Sequence, residues 1–162
     1  MKKNPASALR DTTIPAAGYL IAAVAAATIA GAWFFQYVIG LVPCPLCLDQ
    51  RIPYYVAIPL ALVLAFFARD PRRARLARLL LLVIAAILAY GAGLGVYHAG
   101  IEWGLWPGNI LDALKNPPRF VSCDEAAWRL LGISLAGYNA LIAGALAWIA
   151  VRTAYGSSSV SQ

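Results

Sequence analysis

Hydrophobic residues run through this chain in four long stretches rather than alternating with polar ones. The stretches cover about residues 14–35, 52–68, 79–97 and 130–151, and none of them contains Asp, Glu, Lys or Arg. Each is close to the roughly 17 to 25 residues that a helix needs to cross a bilayer. Because lipid offers no partner to a free backbone N–H or C=O, such stretches close their hydrogen bonds within a helix. The pattern predicts an all-α integral membrane protein, a four-helix bundle in a single domain over residues 1–162.

Composition agrees with a membrane protein and excludes two other classes. Hydrophobic residues make up 62% of the 162 residues and charged residues 12%, with a mean hydropathy of +0.71. A soluble globular domain is about half apolar and about a quarter charged. A disordered chain is poor in apolar residues, because it cannot bury enough of them to fold. Neither class fits this chain.

The net charge of +6 indicates membrane orientation rather than nucleic-acid binding. Most of the basic residues precede the first span, separate the second from the third, or follow the fourth: Lys2, Lys3, Arg10, Arg69, Arg72, Arg73, Arg75, Arg78 and Arg152. The two other loops, near residues 36–51 and 98–129, carry most of the acidic residues. By the positive-inside rule, both termini are cytoplasmic and these two loops are periplasmic. We expect the lipid bilayer as a partner and no nucleic acid.

Two glycines stand four residues apart in the third span, at Gly91 and Gly95. This spacing allows two membrane helices to approach closely, because neither position carries a side chain. Glycine is also generally frequent in membrane helices. The sequence leaves both explanations open.

All three cysteines lie in the loops predicted to face outward, Cys44 and Cys47 in the first and Cys123 in the second. The outer side of a bacterial inner membrane is oxidising, so thiols there tend to pair. Cys44 and Cys47 are separated by two residues, a spacing typical of a readily exchanged disulfide. Asp124 and Glu125 follow Cys123, and their charges oppose thiolate formation. We therefore expect Cys123 to form disulfides rather than to be the most reactive nucleophile.

Two polar residues accompany the cysteines. Cys47 lies just before the second span, where free N–H groups favour a thiolate, and Arg51 follows it by one helical turn. Arg51 is either an interfacial anchor or a group that stabilises the thiolate and the anion of an electron acceptor. His98 is the single histidine, and Glu102 follows it by four residues. It is either a polar residue of the membrane interface or a proton donor to a lipid-soluble acceptor.

Four motifs, in order along the chain, together resemble the DsbB family of disulfide bond formation proteins, particularly its alphaproteobacterial members. They are WFFQY at 33–37, GLVPCPLCLDQR at 40–51, YHAGIEW at 97–103 and SCDEAAWR at 122–129. The resemblance runs from about residue 14 to residue 151 and includes the four spans.

This resemblance implies an inner-membrane oxidoreductase that reoxidises a periplasmic DsbA-like dithiol oxidase and passes two electrons to ubiquinone, or to menaquinone. By position, Cys44 and Cys47 correspond to the quinone-coupled redox pair, with Cys47 facing the quinone. Arg51 would then stabilise the charged state of that sulfur with the quinone, and His98 would lie near the ring. Cys123 corresponds to the second of two cysteines that the family carries in its second outward loop.

The chain departs from the family pattern at the first of those two cysteines, which forms the mixed disulfide with DsbA. No cysteine stands between Trp106 and Cys123. Three possibilities follow: the partner attacks Cys44–Cys47 directly, it attacks an interloop Cys44–Cys123 disulfide, or the chain is a shortened or disabled form. We slightly favour the second, because it uses every cysteine and leaves Cys47 free for the quinone. Residues 110–114 fit either a short interfacial helix, which would press the second loop toward the first, or a plain loop.

Two functions without redox turnover are alternatives for this chain. The first is a membrane protein held together by a tetrahedral zinc site with ligands Cys44, Cys47, His98 and Cys123. The second is a membrane scaffold whose disulfide is purely structural. A c-type haem site is excluded, because it requires His directly after the second cysteine and Leu48 stands there.

Overall fold

The computed structural model describes residues 5–105, 123 and 126–156, and of residues 5–12 and 71 it describes the backbone alone. The interfacial helix considered for residues 110–114 lies outside the described residues. The elements, in chain order, are helices α1 (Pro5–Tyr37), α2 (Pro45–Asp49), α3 (Ile52–Phe67) and α4 (Ala74–Glu102), strands β1 (Arg129–Leu130) and β2 (Ile133–Ser134), and helix α5 (Leu135–Gly156). A 3-10 turn at Pro71–Arg73 joins α3 to α4.

Four segments in the described part of the chain are long and apolar enough to cross a membrane. They are Thr13–Tyr37, Pro45–Phe67, Ala74–Glu102 and Leu135–Gly156. The predicted fold class, an all-α membrane bundle of four helices, is confirmed.

The boundaries of three helical segments differ from those expected. The segment between α1 and α3 contains α2, because Pro45 stands at the first helical position, where its missing N–H costs nothing. Helix α4 continues to Glu102, so His98 belongs to the helix and not to the loop after it. Helix α5 begins at Leu135 and not at residue 130, because the intervening residues form an antiparallel hairpin. Gly132 turns that hairpin with a φ of +81°.

Small residues allow the helices to pack closely. Helix α1 packs mainly on α3, and α4 packs on α3 and α5. A Cβ atom at Gly95 would lie 2.8 Å from the backbone nitrogen of Ala140 in α5, and one at Gly91 would lie 3.0 Å from Cβ of Pro53 in α3. The close-approach interpretation of the two glycines is therefore confirmed.

The arginine-rich turn and the first cysteine loop lie at opposite ends of the bundle. Arg69, just after α3, donates a hydrogen bond to the Tyr19 hydroxyl near the start of the first span at 2.7 Å. Arg51, just before α3, donates to Gln36 Oε1 near the end of α1 at 2.6 Å. The rise along α1 between these two contacts is roughly 25 Å, close to the thickness of a membrane core.

Candidate redox site

The first two cysteines are held together by the start of α2. Cys44 caps the helix: its Sγ atom accepts a hydrogen bond from the backbone N–H of Cys47 at 3.3 Å. The two Sγ atoms are 2.9 Å apart. The helix start therefore directs its free N–H groups toward Cys44, whereas the sequence suggested that they would favour Cys47. Only a small movement is needed for these thiols to form a disulfide.

Cys123, from the segment between α4 and β1, lies at the same place. Its side chain is hydrogen-bonded to Cys44 and to His98, and the backbone N–H of Leu46 donates to its sulfur. Cys123 is 2% exposed and Cys44 is 4% exposed. The three sulfurs therefore form one cluster, in which Cys44 and Cys123 are buried, Cys47 is partly exposed, and Cys44 contacts both of the other cysteines.

The hydrogen bonds within the cluster shift the pKa values of Cys44 and Cys123 in opposite directions. The single S–H hydrogen of Cys44 is shared between the sulfurs of Cys123 and Cys47, and this sharing, together with burial, raises the pKa of Cys44. The hydrogen bond from Cys44 lowers the pKa of Cys123 to about 6, against the opposing effect of burial, and His98 adds to the lowering. The expectation that Cys123 resists ionisation was therefore wrong, because donors surround its sulfur. Asp124 and Glu125, on which that expectation rested, lie outside the described residues.

His98 lies inside the bundle, on α4, with 3% of its surface exposed. Its Nδ1 atom is 2.7 Å from the side-chain nitrogen of Gln50. Its Nε2 atom is 3.7 Å from Cys44 Sγ and 3.8 Å from a carboxylate oxygen of Glu102, whose side chain is also buried. This burial excludes the interpretation of His98 as a polar residue of the membrane surface.

Arg51 lies between α2 and α3 and is partly exposed. Its guanidinium donates to Gln36 on α1 at 2.6 Å. Arg51 and Cys47 line one cavity, although α2 ends at Asp49 and no single helix joins the two residues. The hydrogen bond to Gln36 keeps the positive charge at the cavity wall.

A cavity of about 690 Å³ opens beside the cysteines, between α1, α3 and α5. Ligand pockets in proteins commonly have volumes of about 300 to 1,000 Å³. Most of the lining is apolar, and Cys47 and His98 meet it at the end nearest α2. The remaining polar side chains of the lining are Thr28, Gln36, Gln50, Arg51, Tyr54, Tyr138 and Asn139.

The cluster also has the donor set of a soft-metal site. Sulfur atoms of Cys44 and Cys47 and a ring nitrogen of His98 lie within 4.8 Å of one another. With zinc-to-ligand distances of about 2.0 to 2.3 Å, tetrahedral ligand atoms lie roughly 3.3 to 3.8 Å apart. The two sulfurs, 2.9 Å apart, would have to separate slightly to hold a zinc ion between them.

Four polar residues that line this cavity had no role predicted from the sequence, namely Gln36, Gln50, Tyr54 and Asn139. Asn139 is the only strongly polar side chain in the middle of the predicted fourth span. A buried amide in an otherwise apolar helix needs partners within the bundle. That rule was the available signal for Asn139.

Comparison with known proteins points to one family. The chain matches the family model described as "Disulfide bond formation protein DsbB" over residues 15–153. It is 32% identical to Disulfide bond formation protein B of Burkholderia ambifaria over 150 residues, which cover 83% of this chain and 84% of the relative. It is 32% identical to Disulfide bond formation protein B 2 of Pseudomonas syringae over 139 residues, 76% of this chain and 78% of the relative. No solved structure matches the chain.

Proposed function

The chain belongs to the DsbB family of disulfide bond formation proteins, and we propose that it is a thiol:quinone oxidoreductase of the bacterial inner membrane. In this proposal it oxidises a reduced periplasmic dithiol protein of the DsbA type and passes the electrons to ubiquinone or menaquinone. The observation that carries the proposal is the position of Cys44. Its sulfur contacts both Cys47, at the wall of an apolar cavity, and Cys123, from the second outward loop.

The residues around the cavity fit a quinone. The apolar walls suit a flat ring with an isoprenoid tail, and Arg51 and His98 offer hydrogen-bond donors for the ring oxygens. A bound quinone supplies a two-electron, two-proton acceptor. Oxidation of the Cys44 and Cys47 thiols to a disulfide releases two electrons and two protons, so the step balances. In this arrangement Cys47 faces the cavity, and the Arg51 charge stabilises the Cys47 thiolate.

Thiol–disulfide exchange then carries the oxidising equivalent outward. The Cys123 thiolate attacks Cys44, the Cys44–Cys47 bond breaks, and a Cys44–Cys123 disulfide forms with Cys47 released as a thiolate. Cys44 has no hydrogen to donate once it is in the disulfide, so His98 and the backbone N–H of Leu46 are the donors that favour the attacking Cys123 thiolate. A partner thiolate next attacks the Cys44–Cys123 disulfide, and its second thiol releases the oxidised partner. The enzyme is left with three thiols, two of which the quinone reoxidises.

The energetics require a strong terminal acceptor. A DsbA-type partner has a potential of about −120 mV, and each 30 mV is worth about 1.4 kcal/mol in a two-electron couple. Only an acceptor of higher potential can accept electrons from such a partner. The location of the thiols between an apolar cavity and the outward loops gives both reactants access to one site.

The direct test is quinone reduction by the purified protein in detergent or lipid. With a reduced DsbA-type partner and a short-chain ubiquinone, we expect turnover in the wild type and none above background for Cys44→Ser and Cys47→Ser. Leu48→Ala is a matched control, because Leu48 directly follows Cys47 on α2, is exposed and does not line the cavity. Full turnover of Cys47→Ser, or wild-type inactivity with every quinone tested, would overturn the proposal.

Cys123→Ser tests the exchange step separately. We expect it to reduce the quinone with a small dithiol as donor but to lose turnover with the protein partner. Peptide mapping under non-reducing conditions should identify the Cys44–Cys123 bridge in the wild type when Cys47 is blocked. Undiminished turnover of Cys123→Ser with the protein partner would instead favour direct attack on Cys44–Cys47.

The zinc-bound structural protein is the alternative, and the closeness of Cys44, Cys47 and His98 favours it. Zinc would occupy the thiols that turnover needs, so the two functions exclude each other in one molecule. Metal analysis of protein purified without chelators separates them. Stoichiometric zinc in an inactive protein supports the alternative, and metal-free active protein contradicts it.

A further inference from the structure

A chain of four hydrogen-bonded side chains crosses the interior of the bundle next to the cysteines. The Tyr54 hydroxyl donates to Asn139 Oδ1 at 2.8 Å, and Asn139 Nδ2 donates to Gln50 Oε1 at 2.8 Å. Gln50 Nε2 in turn lies 2.7 Å from His98 Nδ1. The chain joins α3, α5 and α4 and ends at the ring that contacts the sulfur cluster.

Backbone carbonyls fix the orientation of both amides in this chain. Gln50 Nε2 also lies 3.2 Å from the carbonyl oxygen of Leu46, and Asn139 Nδ2 lies 3.2 Å from that of Gly91. A carbonyl oxygen only accepts hydrogen bonds, so each nearby amide atom must be the NH₂ group. The two hydrogens of each NH₂ group are then used, one on the carbonyl and one on the next side chain.

The chemistry at His98 follows from that orientation. Because an NH₂ group of Gln50 faces Nδ1, this nitrogen must accept and carries no hydrogen in the neutral ring. The hydrogen is then on Nε2, which faces Glu102 at 3.8 Å and Cys44 Sγ at 3.7 Å. The titratable groups that face the ring are Cys44, Cys47, Cys123 and Glu102. A carboxylate beside Nε2 favours the same hydrogen position.

We propose that Gln50, held in place by Asn139, is a positioning residue that keeps His98 in the tautomer with its hydrogen on Nε2, directed at the sulfur cluster. The catalytic role of this tautomer rests on the proposed redox function. Cys44 is the sulfur that exchanges Cys47 for Cys123, and the Nε2–H group faces Cys44 and the Cys123 thiolate that attacks it. With the other tautomer, a nitrogen lone pair would face these sulfurs, and the hydrogen bond that orients the attacking thiolate would be lost.

The tautomer can be measured directly, because the chain has a single histidine. Protein labelled with ¹⁵N-histidine, fully reduced, free of quinone and partner, and at mildly alkaline pH, gives one pair of ring-nitrogen signals. We expect an unprotonated Nδ1 and a protonated Nε2 in the wild type. In Gln50→Glu, a carboxylate that only accepts faces Nδ1, so Nδ1 should become protonated. In Asn139→Leu, Gln50 Oε1 loses its donor, and a Nδ1–H population should appear beside the wild-type signals.

Turnover supplies the second readout. We expect kcat to fall about tenfold in Gln50→Glu, the effect of roughly one hydrogen bond in the transition state, with a smaller change in the KM for quinone. Leu141→Ala on the lipid-facing side of α5 is the control and should leave both the NMR signals and the kinetics unchanged.

Two results would overturn the inference: an Nδ1 that is protonated in the wild type, or one that stays unprotonated in Gln50→Glu. Wild-type signals in Asn139→Leu would remove the role given to Asn139. Because the NMR experiment needs no turnover, an inactive wild type with the expected tautomer would count against the proposed function and leave the tautomer assignment standing.

Discussion

At the scale of single residues, Arg51 is the charged side chain that we propose binds the quinone. It lines the cavity together with Cys47, and its guanidinium is held by Gln36. We expect Arg51→Ala to raise the apparent KM for quinone about tenfold, since a charge-assisted hydrogen bond is worth about 1.5 to 3 kcal/mol. Arg51→His should have a milder effect, because an imidazole can still donate.

Gln36→Ala serves as the comparison for Arg51. It removes the partner that holds the guanidinium but keeps the charge, so its effect on the KM for quinone should be smaller than that of Arg51→Ala. Steady-state kinetics with a short-chain quinone at saturating partner concentration measure both. A KM that does not respond to Arg51→Ala would return Arg51 to the role of an interfacial anchor.

Cys123 provides a prediction about pH. Its pKa is lowered from 9.0 to about 6, chiefly by the hydrogen bond from Cys44. A lowered pKa means that the folded protein holds the thiolate above about pH 6 and loses it as the pH falls through that value, together with the stability that the thiolate contributes. We expect the ultraviolet absorption of the reduced protein to show a thiolate step near that pH.

The source of the step can be assigned with two variants. Cys123→Ser should lack it. Cys44→Ala removes the principal donor, so the step should move upward, toward the ordinary value for a cysteine. An unchanged step in Cys123→Ser would mean that another group titrates there.

At the scale of elements, the contact between α4 and α5 depends on Gly95. A Cβ atom there would lie 2.8 Å from Ala140 N and 2.9 Å from Asn139 Nδ2. Because a backbone atom cannot easily move away, Gly95→Ala should destabilise the bundle by about 1 to 3 kcal/mol. It should also disturb the amide of Asn139. Thermal unfolding in detergent measures the loss.

Gly93 gives a matched control on the same helix. A Cβ atom at this position meets nothing within 4 Å. Gly93→Ala should therefore leave the protein as stable as the wild type or stabilise it slightly, because Ala favours a helix by about 1 kcal/mol over Gly. Equal melting temperatures for the two variants would contradict the close-packing argument.

The sequence predicted those features of these elements that depend on apolar length or residue spacing, and missed those that depend on how the elements pack. Apolar length predicted four spans, because the bilayer imposes that length on any helix that crosses it. The start of α5 was placed too early, because Leu130 and Ile133 are as apolar in a hairpin as in a helix. The cysteine pair and His98 were found from residue type and spacing. Asn139 was missed, because its partners come from α3, from α4 and from the turn between α2 and α3, and only the packing of these elements brings them together.

At the scale of the whole molecule, the arginine-rich turn and the cysteine site lie at opposite ends of the bundle. Arg69, Arg72 and Arg73 lie in the turn between α3 and α4, at the end away from the cysteines. The positive-inside rule predicts that this turn is cytoplasmic and that the cysteine end is periplasmic, where disulfides persist. Alkaline phosphatase is active only in the periplasm. We therefore expect an active fusion after Gly104 and an inactive one after Asp70.

The orientation should also depend on the arginines themselves. Replacing Arg72, Arg73 and Arg75 with Glu removes much of the positive charge that keeps the turn between α3 and α4 inside, so fusions after Asp70 should gain phosphatase activity in part of the molecules. Replacing exposed apolar residues of α4, such as Leu79 and Val83, with Ala is the control and should leave the fusion inactive. An active fusion after Asp70 in the wild-type background would put the cysteines in the reducing cytoplasm. Oxidised disulfides do not persist there, and the proposed electron transfer from a periplasmic partner would be impossible.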